Sequence, residues 1–258
     1  MNVFAGLTIP LLGTILGAAC VFFLRGSIPR LFMRGLEGFA GGVMVSAAVW
    51  SLLIPALEQN AGKGAFSVVP VAIGFLCGAV FLLFLDDITP HLHLGAKEAE
   101  GPRAALKRNT KLVLALTLHN IPEGMAVGVV YAGFFSGAAG MSAEAALALA
   151  IGMAIQNFPE SAIVSMPLHA DGTGKWQAFG IGAASGVVEP IAAIVTIAAA
   201  PLIAPVMPVC LAFAAGAMVY VVVEELVPDM ARGEHSNIGP VMFAIGFALM
   251  MSLDVALG

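Results

Sequence analysis

Charge is scarce in this chain. Of 258 residues, 11 are Lys or Arg and 16 are Asp or Glu, so 10% are charged, where a soluble domain carries about a quarter. Hydrophobic residues make up 60% and mean hydropathy is +0.98, a balance that excludes a water-soluble enzyme. Cysteine is scarce as well. Cys20, Cys77 and Cys210 lie in separate apolar stretches with no CxxC pair, which excludes a disulfide framework and a thiolate zinc finger. The chain has no HExxH, and only two Trp and two Tyr. The first absence argues against a helical zinc protease, and the second leaves little with which to build a pocket for an organic solute. The basic residues from Lys97 to Lys111 suit anionic lipid headgroups, and no nucleic-acid partner is expected.

What the chain has instead is long apolar runs. A helix needs about 20 apolar residues to cross a bilayer core of about 30 Å. Runs of that kind fall at 3–24, 36–57, 66–85, 112–133, 143–166, 176–200, 208–227 and 239–257. Their length and continuity fit helices rather than the alternating strands of a barrel. The reading is an all-α integral membrane protein of eight transmembrane helices, a single domain over 1–258 with one longer loop at 86–111. The first 24 residues hold no Lys or Arg and their apolar run exceeds a signal-peptide core, so Met1 is expected to begin a real span.

The loops set an orientation. Arg25, Arg30 and Arg34 lie between spans 1 and 2 or at their edges; Lys97, Arg103, Lys107, Arg108 and Lys111 between 3 and 4; Lys175 between 5 and 6; and Arg232 between 7 and 8. Only Lys63 falls on the opposite side. The positive-inside rule then places the odd-numbered connections, the 86–111 loop among them, in the cytoplasm and both termini outside.

Two internal matches suggest an inverted repeat. Phe39-Ala-Gly-Gly-Val-Met-Val45 in span 2 resembles Phe213-Ala-Ala-Gly-Ala-Met-Val219 in span 7, and each is followed by a proline, Pro55 and Pro228. His119-Asn-Ile-Pro-Glu-Gly124 in span 4 resembles Gln156-Asn-Phe-Pro-Glu-Ser161 in span 5. Both pairs run in opposite directions through the membrane, the mark of inverted-topology transporters, whose site lies near the midplane.

Glu123, Glu160 and Glu189 fall near the centres of spans 4, 5 and 6, beside His119. An ionisable group at that depth costs roughly 2.5–3.5 kcal/mol or more, so it should face the bundle interior and have a partner. Helical spacing sets His119 and Glu123 on one face, and Gln156 and Glu160 on another. Pro122 and Pro159 cannot donate to the carbonyls of Leu118 and Ile155, so kinks and spare oxygens are expected there. Imidazole suits zinc and other late divalent metals, while carboxylates and amides widen the range. The set points to a divalent transition metal, against the alternative of a polar network tying helices together.

These residues resemble the ZIP family, the Zrt- and Irt-like divalent-metal transporters, and most closely its GufA-like bacterial branch. His119-Asn-x-Pro-Glu-Gly124 resembles the family's span 4 signature, Gln156-Asn-x-Pro-Glu160 its span 5 counterpart, and Glu189-Pro190 its span 6 glutamate. The resemblance implies a ZIP-type bundle in the bacterial cytoplasmic (inner) membrane, a homodimer, and a binuclear site. One ion would be held by Met44, His119, Glu123, Gln156 and Glu160; the other by Asn120, Glu123, Asn157, Glu160 and Glu189, with Glu123 and Glu160 bridging. Some relatives carry Asp at the position of Asn157. Three carboxylates then face two divalent ions, so the second site is expected to be weaker.

The resemblance further implies an exit path at Asp86, His91 and His93, joined by Glu225 and His235. Glu58 and Asp254 lie toward the outer side as entrance candidates. The implied function is import of Zn²⁺, with Cd²⁺ and Fe²⁺ as further cargoes. Spans 1, 4, 5 and 6 would carry metal past spans 2, 3, 7 and 8 in an elevator movement. The rival readings are an intramembrane zinc metalloenzyme, which needs three protein ligands and an open water position, and a proton-coupled carrier of an organic solute.

Overall fold

The computed structural model describes residues 3–24, 28–90, 102, 108–233 and 235–257. These residues build eight helical rods and no strand. They are α1 (Val3–Ala19), α2 (Arg30–Asn60), α3 (Val68–Ile88), α4 (Arg108–Ser136), α5 (Ala143–Ala170), α6 (Lys175–Ala198), α7 (Ala200–Ala231) and α8 (Ile238–Leu257). In order they overlie the eight apolar runs. Seven are long and apolar enough to cross a membrane, and the apolar stretch at α1, Gly6–Phe22, is shorter. The protein is an all-helical, multi-pass membrane protein.

Local chemistry explains where several rods begin and bend. Extended Pro29 precedes Arg30, so α2 starts six residues before its apolar run and carries Arg34 and Glu37, both buried, on its first turns. The Ser142 hydroxyl accepts from the Ala145 amide at the start of α5, a side-chain N-cap. At the other end of α1, the Lys175 ammonium donates to the carbonyls of Phe22 and Leu24, each at 3.1 Å, placing a cation at a helix C-terminus.

Helices α4 and α5 run on through Pro122 and Pro159. The irregular turns lie elsewhere. Ala48–Leu53 in α2 and Val222–Leu226 in α7 are π-helical, each just before the proline that follows the repeated segment. A proline ring crowds the carbonyl four residues back, here Ser51 and Glu224, and a widened turn makes room for it. Helix α6 breaks between Lys175–Ser185 and Val188–Ala198, an interruption the sequence reading did not expect.

The rods associate in four close pairs: α2 with α8, α3 with α7, α1 with α5 and α4 with α6. Each pair is closed by a glycine whose missing Cβ would overlap a backbone carbonyl oxygen. Gly42 meets Phe243, Gly78 meets Phe213, Gly17 meets Phe158, and Gly124 meets Glu189. In the first two pairs the contact is reciprocated, Gly246 against Phe39 and Gly216 against Phe75.

These eight residues form four Phe-x-x-Gly segments, at 39–42, 75–78, 213–216 and 243–246. Exchanging α2 with α7 and α3 with α8 maps one set of contacts onto the other. The same exchange, with α1 for α6 and α4 for α5, maps the remaining pairs onto each other. The repeat read from spans 2 and 7 therefore extends through the packing, and it divides the rods into a group α1/α4/α5/α6 and a group α2/α3/α7/α8. Apolar side chains on the outer faces of α3 and α8, among them Leu76, Val80, Phe84 and Leu249, remain exposed, as a lipid-facing surface requires.

Candidate metal centre

The polar residues singled out in spans 4, 5 and 6 come together inside the group α1/α4/α5/α6, and His119 and Glu160 among them face the other group across a shared cavity. His119, Asn120 and Glu123 on α4, Gln156, Asn157 and Glu160 on α5, and Glu189 on α6 are all buried. A chain of hydrogen bonds links four of them, Glu123, Gln156, Asn157 and Glu189. The Gln156 amide donates to Glu123 Oε1 at 2.7 Å and to Asn157 Oδ1 at 3.4 Å. The Asn157 amide donates to Glu189 Oε2 at 2.7 Å. Two carboxylates on different helices are thus bridged by two amides.

The break in α6 positions the third carboxylate. Its first half ends at Ser185, whose carbonyl accepts from the Asn120 amide at 3.0 Å, satisfying an acceptor the interrupted ladder leaves over. Its second half places Glu189 in the first turn. Thr14 of α1, a residue the sequence reading missed, packs against Gly186 at the break and donates to Glu189 Oε1 at 3.3 Å. Glu189 is therefore held from both sides.

His119 Nδ1 lies 2.7 Å from Glu225 Oε2 on α7, across the boundary between the groups. A carboxylate on one ring nitrogen orients imidazole and directs the other nitrogen toward a metal. Glu123 Oε2, Gln156 Oε1 and Glu160 Oε1 are buried and accept no hydrogen bond among the described residues. Leaving buried polar oxygens unmatched costs about 1–3 kcal/mol each, and oxygen lone pairs of this kind are what a divalent cation binds. As the side chains stand, no three His, Cys, Asp or Glu among the described residues are gathered closely enough to hold an ion. The amides occupy the intervening positions, so ligation requires them to turn their oxygens inward.

A cavity of about 40 Å³ reaches this cluster from the end of the bundle that carries the α1–α2 and α7–α8 connections. Its polar wall consists of His119, Glu160, Glu225, Glu37 and Asp229. Toward the opposite end the site is covered by buried apolar side chains, including Leu52, Val127, Leu149, Met153 and Met218. Around Thr14, Asn120, Asn157, Glu160 and Ser161 the packing leaves no room for water.

The remaining sequence candidates scatter. Met44 is buried in the apolar core and lines neither space. Asp86 is buried beside Tyr220 on the α3–α7 seam, off the cavity wall. His235 is exposed, and His91 and His93 lie outside the described residues. Glu58 is exposed near Gly140, while Asp254 is buried and accepts from Ser51 at 2.6 Å. Besides Thr14, the sequence reading missed Glu37 and Asp229. The signal for Glu37 was available: it is an acid just inside the edge of an apolar run.

The chain is similar in sequence to known proteins. Residues 97–254 match the profile of the ZIP family, described as ZIP Zinc transporter. The chain is 36% identical to the zinc transporter GufA of Myxococcus xanthus, over 98% of this chain and 99% of that protein. It is 37% identical to the zinc transporter ZIPB of Bordetella bronchiseptica, over 95% and 78%. It is also 36% identical to the zinc transporter ZIP11 of Homo sapiens, over 95% and 94%.

Proposed function

Because this chain belongs to the ZIP family, we propose that it moves zinc across its membrane through the buried cluster on α4, α5 and α6, as a transporter and not an enzyme. The observation that carries the reading is the cluster itself: a histidine, three buried carboxylates and unmatched oxygens near the midpoints of three apolar helices, beside the boundary between two helix groups. The names of the relatives support zinc as the cargo, and a His, Gln and carboxylate set also suits Cd²⁺ and Fe²⁺.

Zinc enters a site formed by His119, Glu123, Gln156 and Glu160, with Met44 from the facing helix as a soft ligand. A second ion sits among Asn120, Asn157 and Glu189, with Glu123 and Glu160 bridging. That second site is the weaker one, because the Asn157 amide already satisfies Glu189 and adds no charge of its own. The eight rods cross the membrane with both termini outside, and the end carrying the basic connections faces the cytoplasm. The acid-lined cavity then opens inward while the apolar plug closes the outer side, so this arrangement releases metal to the cytoplasm. Outward access requires the group α1/α4/α5/α6 to travel past α2/α3/α7/α8, an elevator movement.

The test is uptake of ⁶⁵Zn²⁺ into proteoliposomes containing the purified protein, with His119→Ala and Glu123→Ala alongside. Saturable uptake that disappears in both variants is the expected result. Zinc bound stoichiometrically without uptake would count for the metalloenzyme reading, and wild-type uptake in either variant would remove that residue from the site.

A further inference from the structure

The side of the polar cluster that faces α1 offers a cation oxygen and nothing softer. The Asn157 amide donates to Glu189 Oε2 at 2.7 Å and to the Pro10 carbonyl at 3.4 Å. Thr14 Oγ1 stands 3.3 Å from Glu189 Oε1 and 3.5 Å from the same Pro10 carbonyl oxygen. Asn120, Glu160 and Ser161 complete the polar wall of this space. Ser161 is 1% exposed, and its Oγ, like Glu160 Oε1, has no hydrogen-bond partner among the described residues. The first half of α6 ends alongside, with the Ser185 carbonyl held by Asn120 and Gly186 packed on Thr14. A helix C-terminus carries partial negative charge, and carbonyls at a break in a membrane helix are suited to Na⁺.

We infer that this compartment is a sodium site, in which Thr14, Asn157, Ser161, Glu189 and the Pro10 carbonyl hold a bare Na⁺ beside the zinc bound at His119. The inference rests on the transport reading above and names the ion of its second site. Without the ion, the Asn157 N–H₂ group supplies the positive end of a dipole to Glu189. Turned over, the same amide presents its oxygen and leaves the space to the cation. Three arguments select a hard monovalent ion. The set holds no imidazole and no thiolate, the ligands that favour zinc. The packing leaves no room for water, which excludes Mg²⁺, an ion that keeps several. Charge points the same way. Buried Glu123, Glu160 and Glu189 carry −3, which one divalent and one monovalent cation balance and two divalent cations overshoot. An Asp at position 157 would raise the charge to −4 and admit a second divalent ion instead.

The test is a thermal scan of the full-length protein in detergent, stripped of zinc by a chelator and held at constant ionic strength with choline chloride. Replacing choline by Na⁺ should raise Tm saturably, by about 3–6 °C at about ten times the dissociation constant, and the larger K⁺ should raise it less. Thr14→Val keeps the side chain's shape and removes its hydroxyl; it and Glu189→Gln, in preparations that elute as the wild type does, should each abolish the sodium-specific rise. In Asn157→Asp, equilibrium dialysis and elemental mass spectrometry should count about two zinc ions per chain, where the wild type in Na⁺ binds about one. Equal rises in Na⁺ and K⁺ overturn the proposal, as does a sodium-specific rise that survives both Thr14→Val and Glu189→Gln. The scans contain no zinc, so the two readings fail separately. A sodium rise that depends on Thr14 and Glu189, in a protein without ⁶⁵Zn²⁺ uptake, would support the sodium site and sink the transport reading; uptake without such a rise would do the reverse.

Discussion

The seams inside each helix group and the boundary between the groups are built differently. Within a group, glycines bring backbone onto backbone: Gly42 on the Phe243 carbonyl, Gly78 on Phe213, Gly17 on Phe158 and Gly124 on Glu189. No side chain intervenes, so the contact has one geometry and resists displacement. Across the boundary, the one described helical glycine that meets the other group is Gly152 of α5, and what it meets is the flexible thioether of Met250 on α8. The other crossing contacts use side chains, among them the His119–Glu225 pair. Rigid seams and an adaptable boundary are what two bodies need if they move as units, and the polar cluster and its cavity lie beside that boundary.

The sharpest way to break the comparison is to attack a seam. Gly42→Val or Gly78→Val forces a branched side chain into a backbone carbonyl, costing about 3 kcal/mol or more. Loss of monodisperse protein, or a Tm drop of roughly 6–12 °C or more at about 2–4 °C per kcal/mol, is the outcome expected in a thermal scan followed by size exclusion. A change of only a degree or two would mean that the seams tolerate slack.

Attacking the boundary should leave the fold and remove the function. Glu160→Ala is expected to lower ⁶⁵Zn²⁺ uptake by about 100-fold or more, in keeping with loss of a buried charged ligand worth about 3 kcal/mol, while Tm stays near that of the wild type.

Asn157→Asp sharpens the contrast within the site. It replaces the 2.7 Å donor to Glu189 with a second carboxylate, so the metal-free protein should lose about 1–3 kcal/mol. Zinc should restore that loss, giving a larger zinc-dependent rise in Tm than in the wild type. Equal shifts in the two proteins would count against a hydrogen bond standing in for the second ion. The smallest effect is expected from Gly152→Ala. Met250 can turn aside, so stability should change by less than about 1 kcal/mol, and uptake should slow a few-fold as the boundary loses clearance.

Much of this was legible in the sequence because its causes are local. Apolar runs of membrane length marked the rods, and the Asn-x-Pro-Glu segments marked Glu123 and Glu160 as buried acids in need of partners. The Phe39 and Phe213 segments announced a repeat. Their partners Phe75-x-x-Gly78 and Phe243-x-x-Gly246 escaped notice, because two equal spacings in otherwise apolar text signify nothing until the helices are docked. Thr14 is one of two threonines in an apolar run, and only the break at Gly186–Val187 gives it a carboxylate to bind. Asp86 illustrates the opposite case: its neighbours in sequence suggested a cytoplasmic exit cluster, and only packing shows that it also lies beside Tyr220 on the α3–α7 seam. The helices continue through Pro122 and Pro159, and the π-helical turns before Pro55 and Pro228 were not anticipated, because a widened turn leaves no mark in the residue types alone.

Relative motion of the two groups is tested most directly by locking the boundary. In a chain with Cys20, Cys77 and Cys210 replaced by Ser, the pair Gly152→Cys and Met250→Cys is oxidised to a disulfide and ⁶⁵Zn²⁺ uptake into proteoliposomes is measured. A matching pair inside one group, Gly182→Cys and Ser165→Cys, whose Cβ atoms would lie 3.3 Å apart, near disulfide spacing, serves as the control. Uptake should stop with the boundary disulfide, return on reduction, and stay within about twofold of the unlinked chain with the control disulfide, since that bond joins helices that move as one body. Undiminished uptake through a fully formed Gly152–Met250 crosslink would contradict movement at this boundary and with it the elevator reading.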